Sequence, residues 1–210
     1  MTAQEKTDKR EQLINAAEDL FAEKGFDGTS VRDIAQRADV NLAMISYYFG
    51  SKEKLLQVLI EQRFASSLEL LDELLRNTTM TPWEKIERVI EYYVDKILNG
   101  RKFHSIINQE YNTDRSREII DLITSIKMKN YHLIKQIIDD GYEKKVFRKI
   151  DPELTMASMM GTINSTINSK NVYCILFRID ATDEAEYLAR MKPRLKEHLK
   201  HMIRAHLTIE

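Results

Sequence analysis

The residues best suited to chemistry follow Asn41, where short and hydroxyl-bearing side chains interrupt an apolar pattern. Val40, Ile45 and Phe49 recur at helical spacing and are expected to face a core. The positions left pointing outward carry side chains that could reach base edges or thymine methyls: Leu42, Ala43, Met44 and Ser46. Groups suited to phosphate oxygens follow them: Tyr47, Tyr48 and Lys52. This spacing is compatible with DNA binding and equally with a generic pair of helices.

Helix-start signals divide this region into two short helices. Ser30 is the N-cap candidate of the first, and Asp33 follows at the spacing of a capping box. Asn41 is the candidate cap of the second helix, predicted over Leu42–Tyr48, and Gly50 supplies the left-handed residue that ends it. Two short helices joined by a tight turn are typical of the helix-turn-helix, whose second helix enters the major groove of DNA.

The residues themselves narrow this choice. Four segments resemble the DNA-binding domain of the TetR family of transcriptional regulators, in the family's order and spacing: Leu20–Phe26, Gly28–Ala35, Ala38–Val40 and Tyr47–Leu56. The sequence departs from that pattern at Asn41, where the family often has Ser or Thr, and at Ser46, where it commonly has Tyr. The first change keeps a capping side chain, whereas the second removes one expected phosphate contact.

The candidate DNA-binding set combines the outward side chains with the caps and with Thr29, whose hydroxyl or backbone N–H could reach a phosphate. Its members are Thr29, Ser30, Asn41, Leu42, Ala43, Met44, Ser46, Tyr47, Tyr48 and Lys52. The family resemblance also implies a homodimer and a small-molecule effector. We therefore interpret the chain as a repressor that binds a palindromic operator in double-stranded DNA and is released by an effector of unknown identity.

Composition is typical of an all-α protein in two parts. The 210 residues include three prolines and six glycines and show little strand-like alternation. The net charge is −1, and residues 1–54 hold eight Lys and Arg against ten Asp and Glu, so DNA binding would require cations sorted onto one face. A single cysteine, no long apolar segment and no signal-peptide pattern predict a cytoplasmic protein.

The predicted fold is an N-terminal three-helix helix-turn-helix domain over residues 1–52 and a helical effector-binding and dimerisation domain over residues 53–210, with about nine helices in all. The fourth helix has no breaker between Ser51 and Asn77, so it should connect the two domains.

Later helix boundaries rest on the same signals. Thr81-Pro82 and Asp151-Pro152 each start a helix by a cap followed by proline. Gly141 is expected to end the seventh helix, and Pro193 to kink the last helix or reset its start.

The eighth helix carries a ridge of small residues spaced by four: Ala157, Gly161, Ser165 and Ser169. Such a ridge allows another helix to approach closely. The eighth and last helices could form an ordinary intrachain hairpin or a four-helix interface across a two-fold axis. The family resemblance favours a homodimer through these last two helices.

Polar and aromatic side chains among the middle helices suggest an effector site: Phe64, Tyr93, His104, Tyr111, Tyr131, Met160 and Asn164. Each could equally be exposed or be a satisfied core group. We predict no catalysis and no cofactor, because nucleophile, phosphate-loop and zinc motifs are missing. His198 and His201 could share a metal, but a solvated helix face explains them better. The alternative function is a helical small-molecule-binding or scaffold protein that has lost DNA binding.

Overall fold

The computed structural model describes residues 3–113 and 116–208, with side chains from Asp8 onward within those ranges. Ten helices and no strand are found there. They are α1 (Ala3–Lys24), α2 (Val31–Arg37), α3 (Ala43–Tyr48), α4 (Lys52–Arg76), α5 (Pro82–Asn99), α6 (Arg101–Thr113), α7 (Arg117–Glu143), α8 (Pro152–Asn168), α9 (Lys170–Phe177) and α10 (Glu184–Leu207). The all-α prediction is confirmed, and α9 is the helix beyond the nine expected. No helix of the described ranges has the length and apolarity needed to cross a membrane.

The helices form two compact units. Unit 1 comprises the chain up to Glu69 together with Lys102–Lys129, and unit 2 comprises Leu70–Arg101 and the chain from Asn130. Each unit has its own cluster of buried apolar side chains. The chain passes between the units inside α4, α6 and α7 rather than in loops.

The predicted caps are formed. In the box before α5, Glu84 N–H donates to Thr81 Oγ1 at 3.2 Å and Thr81 N–H donates to a Glu84 carboxylate oxygen at 2.6 Å. Asp151 Oδ1 accepts from Leu154 N–H at 2.9 Å and so caps α8. These bonds satisfy backbone donors that the first turn of a helix leaves unpaired.

Gly141 does not end α7 as predicted, because the helix continues to Glu143. Its role is steric: a Cβ placed on Gly141 would lie 2.1 Å from a ring carbon of Phe147. The left-handed residue after this helix is instead Lys145, with φ of 57°. Close approach of an aromatic ring therefore explains this glycine. Pro193 does not reset the last helix either, since α10 starts at Glu184 and continues past it.

The basic residues of α10 are largely used within unit 2. Four of them, spaced by four, face four acceptors of α5 that run in the opposite direction. The contacts are Lys192 with Asn99, Lys196 with Asp95, Lys200 with Glu91 and Glu87, and Arg204 with Glu87. We call this set the α5–α10 ladder. It fixes the register of two helices whose apolar faces share one core.

Candidate nucleic-acid interface

The start of α2 is held by a complete capping box. Asp33 N–H donates to Ser30 Oγ at 3.1 Å, and Ser30 N–H donates to an Asp33 carboxylate oxygen at 2.9 Å. Hydrogen bonds from the Ser30 hydroxyl and N–H lower the pKa of Asp33, because both favour the charged carboxylate. The Asp33 charge is thus committed to the helix start, where the helix dipole favours it.

The turn into α3 depends on Asp39 and Asn41. Asp39 has a φ of 51°, a left-handed conformation that Asp tolerates better than most residues. Asn41 Oδ1 accepts from Ala43 N–H at 2.8 Å and so satisfies a donor at the helix start, although α3 begins one residue later than expected and Leu42 occupies its N-cap position. Gly50, with φ of 83°, ends the helix. The helix-turn-helix geometry therefore follows from short-range signals.

One face of α3 is anchored and the other is free. Ile45 and Phe49 are buried in the unit 1 core, as their spacing predicted. The outward side chains are Asn41, Leu42, Ala43, Ser46 and Tyr47, with Tyr47 exposed to 66%. Most of the predicted base-reading positions therefore share one exposed surface, which we call the α3 face.

Two predicted contacts are less exposed than expected. Met44 and Tyr48 are half-buried and pack against the unit 1 core. The Tyr48 hydroxyl is shielded from solvent and makes no hydrogen bond within the described part of the chain. Its ring meets that of Tyr47 edge-on at 5.0 Å. Tyr48 therefore supports its exposed neighbour.

Thr29 is buried, and its hydrogen-bonding groups are occupied. Its hydroxyl lies 2.8 Å from Gly25 O and 3.1 Å from Leu20 O, and its N–H donates to Phe26 O at 3.2 Å. The donors proposed for a phosphate contact are thus engaged in holding the end of α1 to the start of α2. In this conformation Thr29 is a structural residue.

Lys52 stands in the first turn of α4 and is partly committed. Its ammonium donates to Phe26 O at 2.9 Å and to Thr29 O at 2.8 Å, and it lies 4.1 Å from the centroid of the Phe26 ring. An ammonium has three donors, so one is left for another acceptor. Lys52 therefore both ties this loop to α4 and keeps a positive charge there.

The N-terminal segment has more acidic than basic residues, and several of its acids are held in ion pairs. Acidic side chains of α1 meet cations of other helices: Glu23 with Arg37, Glu18 and Glu11 with Arg63, and Asp19 with Lys102. Arg10 lies over the Phe49 ring at 5.5 Å, beyond the end of α3. Arg32 and Lys54 are exposed and have no ion pair within the described residues. Neither residue was predicted to contact DNA, although the helical period set by the buried Ile34 and Leu55 indicates that both side chains point outward.

Two family models match the chain. The model described as "Bacterial regulatory proteins, tetR family" matches residues 13–59, and the model described as "Tetracyclin repressor-like, C-terminal domain" matches residues 79–168. The chain belongs to the TetR family. It is a DNA-binding transcriptional regulator, as its helix-turn-helix predicted.

The similarity of this TetR-family chain to known proteins extends over most of its length. Probable HTH-type transcriptional regulator YttP of Bacillus subtilis (strain 168) is 30% identical over 143 residues, which are 68% of this chain and 69% of that protein. The TetR family transcriptional regulator PfmR from Thermus thermophilus has a TM-score of 0.71 at 21% identity, covering 96% of this chain and 97% of that one. The transcriptional regulator FadR from Bacillus subtilis, in complex with stearoyl-CoA, has a TM-score of 0.65 at 22% identity, covering 90% and 96%.

The predicted effector residues of this TetR-family protein divide between the units. Phe64, His104 and Tyr111 belong to unit 1, and Tyr93, Tyr131, Met160 and Asn164 belong to unit 2. Tyr93 is buried in the unit 2 core, whereas Tyr111 is exposed. Tyr131 donates to the Glu153 carboxylate, which raises the pKa of Tyr131 to about 12. Their role in effector binding stays a prediction.

Unit 2 contains a small apolar cavity of about 20 Å³. It is lined by Ile86, Val89, Ile90, Ile134, Ile138, Thr155, Met156, Met159, Ile203 and Leu207. Thr155 and Ile203 also line a more open groove of about 350 Å³ between α8 and α10. None of the seven predicted effector residues lines either one. No group of three or more His, Cys, Asp or Glu side chains suited to a metal occurs among the described residues, and His198 and His201 are exposed.

Proposed function

We propose that this regulator is a repressor that binds a palindromic operator as a homodimer and is released by an apolar small-molecule effector. The observation that carries the proposal is the α3 face. Short side chains there could read base edges, namely Leu42, Ala43 and Ser46, while Tyr47 could contact phosphate. Ser30 and Asn41 set the helix starts, and Lys52 could use its remaining donor on a phosphate.

Exposed cations near the helix-turn-helix support the same proposal. Arg32 and Lys54 stand on the outer surface of unit 1, whereas four acids of α1 are held in ion pairs: Glu11, Glu18, Asp19 and Glu23. Phosphate contacts of this kind supply sequence-independent affinity, and base contacts add specificity. The DNA-binding role is assigned to residues 1–52, and effector binding and dimerisation to residues 53–210.

The proposed dimer uses α8 and α10. Ala157, Gly161 and Ser165 all lie on the exposed side of α8, and a Cβ on Gly161 would meet nothing within 4 Å. Such a surface leaves room for the backbone of a second helix. Two copies joined across a two-fold axis would present two α3 faces to successive half-sites of a palindrome.

The proposed effector site is the apolar cavity of unit 2. A cavity of about 20 Å³ has room for little more than a water, so an effector must displace its walls. Met156 and Met159 suit that task because unbranched thioether side chains repack easily. A solved relative holds stearoyl-CoA, and the lining here is almost wholly aliphatic. We therefore propose an effector that carries an acyl or similar apolar chain.

Release would follow from a difference in effector affinity between two arrangements of the dimer. An effector shifts such an equilibrium only by that difference. The helices α4 and α7 contribute residues to both units, so a displacement in unit 2 has a continuous helical path to unit 1. A repressor working on DNA needs no catalysis, and we propose a cytoplasmic location for it.

In vitro selection of random DNA duplexes by the wild-type protein tests this function. We expect enrichment of one sequence with two-fold symmetry. On that duplex, measured by fluorescence anisotropy, Ala43→Asp should weaken binding by about a hundredfold or more, because a carboxylate would face the bases and phosphates.

The matched control is Ala65→Asp. Ala65 is also an exposed alanine in a helix, in α4, which belongs neither to the α3 face nor to the proposed dimer interface, so a new carboxylate there should not alter operator affinity. Failure of the wild-type protein to enrich any sequence would favour the alternative, a small-molecule-binding protein that has lost DNA binding. Equal losses in both variants would count against the α3 face as the reading surface.

A further inference from the structure

The short helix α9 is apolar on both sides. Its inner side, with Cys174 fully buried, packs against the unit 2 core. Its outer side carries three aliphatic side chains at i, i+3 and i+4 spacing, with exposed fractions of 55%, 78% and 66%: Val172, Ile175 and Leu176. We call these three residues the α9 stripe. A helix that is apolar all round is normally buried on every side, so a cover for this stripe is expected.

The exposure of the stripe does not come from a loosely held helix. Lys170 Nζ, at its start, donates to Ala181 O at 2.9 Å and to the Glu184 carboxylate at 2.7 Å. At its end, Ile179 N–H donates to Cys174 O at 2.9 Å. Both ends of α9 are therefore tied to the segment that leads into α10, and the stripe is presented in a fixed orientation.

The helices α8 and α9 carry few charged residues on their outer sides. In a chain with 31% charged residues, the stretch from Leu154 to Phe177 contains only Lys170, which is paired with Glu184. Two nearby cations are engaged, since Arg190 pairs with Glu186 at 3.1 Å and Arg194 lies 4.4 Å from the centroid of the Phe177 ring. Arg178, directly after α9, is an exposed cation with no ion pair among the described residues. DNA and anionic membranes both select surfaces with free Lys and Arg. The core of a protein interface is instead depleted of charge.

We propose that the α9 stripe docks on a second copy of this chain, so that α9 adds to the interface assigned to α8 and α10. Two-fold symmetry brings the same surface of both protomers together, and a charge-free aliphatic surface complements itself without any matching of opposite charges. The inference rests on the homodimer of the proposed function and extends it, because α9 was not among the helices expected to dimerise.

Ile175→Asp tests this inference in the full-length protein. Because Ile175 is 78% exposed, the substitution should leave the folded protomer and its thermal melting by circular dichroism unchanged. By sedimentation velocity over a range of concentrations, we expect the dimer dissociation constant to rise about a hundredfold, because each protomer loses one buried aliphatic side chain and gains a buried charge. Leu176→Ala should give a smaller rise in the same direction.

Met128→Asp is the matched control. Met128 is 46% exposed in the unit 1 part of α7, and its replacement should leave the dimer unchanged. A wild-type dissociation constant in Ile175→Asp would overturn the inference. So would binding of the wild-type protein to phosphatidylglycerol vesicles that Ile175→Asp abolishes while the dimer persists. Operator selection is scored separately. If the wild-type protein selects no DNA sequence and Ile175→Asp still loses dimerisation, the inference is supported and the proposed function is rejected.

Discussion

Two short helices of this molecule, α3 and α9, solve the same packing problem and leave very different surfaces. Each buries one side in the core of its unit, α3 through Ile45 and α9 through Cys174. The outer side of α3 presents short polar and aromatic groups such as Ser46 and Tyr47. The outer side of α9 presents the three exposed aliphatic side chains of the α9 stripe.

The difference indicates which partner each helix fits. Lys54, near α3, has no ion pair within the described residues, whereas Lys170, at the start of α9, is paired with Glu184 inside the protomer. A hydrated, anionic partner is held by hydrogen bonds and by counterion release. A dry partner is held by burial of apolar surface, which needs no charge. The α3 face thus fits DNA, and the α9 stripe fits protein.

Salt concentration should separate the two surfaces most strongly. Raising NaCl from 50 to 200 mM should weaken operator binding by about a thousandfold, for roughly six phosphate contacts per dimer. The dimer dissociation constant should change by less than about threefold, because screening acts on charges and the α9 stripe has none. Anisotropy titrations and sedimentation velocity at matched salt concentrations measure the two quantities.

The protein concentration in the DNA titrations must stay above the dimer dissociation constant, so that dimerisation does not enter the DNA-binding curve. A steep salt dependence of dimerisation would mean that ion pairs hold the interface and would break the comparison. An operator affinity that ignores salt would mean that few phosphates are contacted.

The two capping boxes offer a second and smaller contrast. Ser30→Ala and Thr81→Ala each remove a side chain that caps a helix, at a cost of about 1 kcal/mol, or about 2–4 °C in Tm for a chain of this size. Only Ser30→Ala should also weaken operator binding, because α2 supports α3. Differential scanning fluorimetry and anisotropy titrations check the pair.

Acid should reduce the difference in Tm between each variant and the wild type. Hydrogen bonds from Ser30 and Thr81 lower the pKa values of Asp33 and Glu84. A carboxylate with a lowered folded pKa stabilises the protein above its unfolded pKa, and this contribution is lost as the pH falls through the folded value. If Ser30→Ala and Thr81→Ala lost operator affinity equally, the loss would reflect lower stability of the whole protein rather than the support that α2 gives to α3.

The caps were predictable because they depend on residues within three positions of each other. Ser30 with Asp33, and Thr81 with Glu84, form their bonds locally whatever the rest of the chain does. The outward face of α3 followed from helical period in the same way, once Ile45 was placed inward. Signals between residues close together in the sequence therefore predicted most of the structure of the DNA-binding domain.

Features that depend on contacts from elsewhere in the chain escaped prediction. The Thr29 hydroxyl donates a hydrogen bond to the carbonyl of Leu20 in α1. Gly141 has no side chain that would clash with the ring of Phe147. The partners of the α10 cations could not be assigned from the sequence, because the acids that pair with them lie far away in the chain, in α5. The α9 stripe was missed because a short helix that is apolar all round has no period to reveal which side is outward.

The smallest contrast concerns single cations with different partners. Lys52→Met should lower the slope of log affinity against log salt by about one unit, because the donor left free by Phe26 O and Thr29 O is assigned to a phosphate. Lys200→Met removes the same charge from the α5–α10 ladder, where the ammonium lies 2.6 Å from Glu91, and should leave the slope unchanged. Its cost in stability should stay below about 1 kcal/mol, as for other partly exposed ion pairs. An unchanged slope with a lowered Tm in Lys52→Met would restrict Lys52 to tying the loop. A lowered slope in Lys200→Met would mean that the cations of α10 also contact DNA, and the surface around α3 would then no longer be the only one assigned to DNA binding.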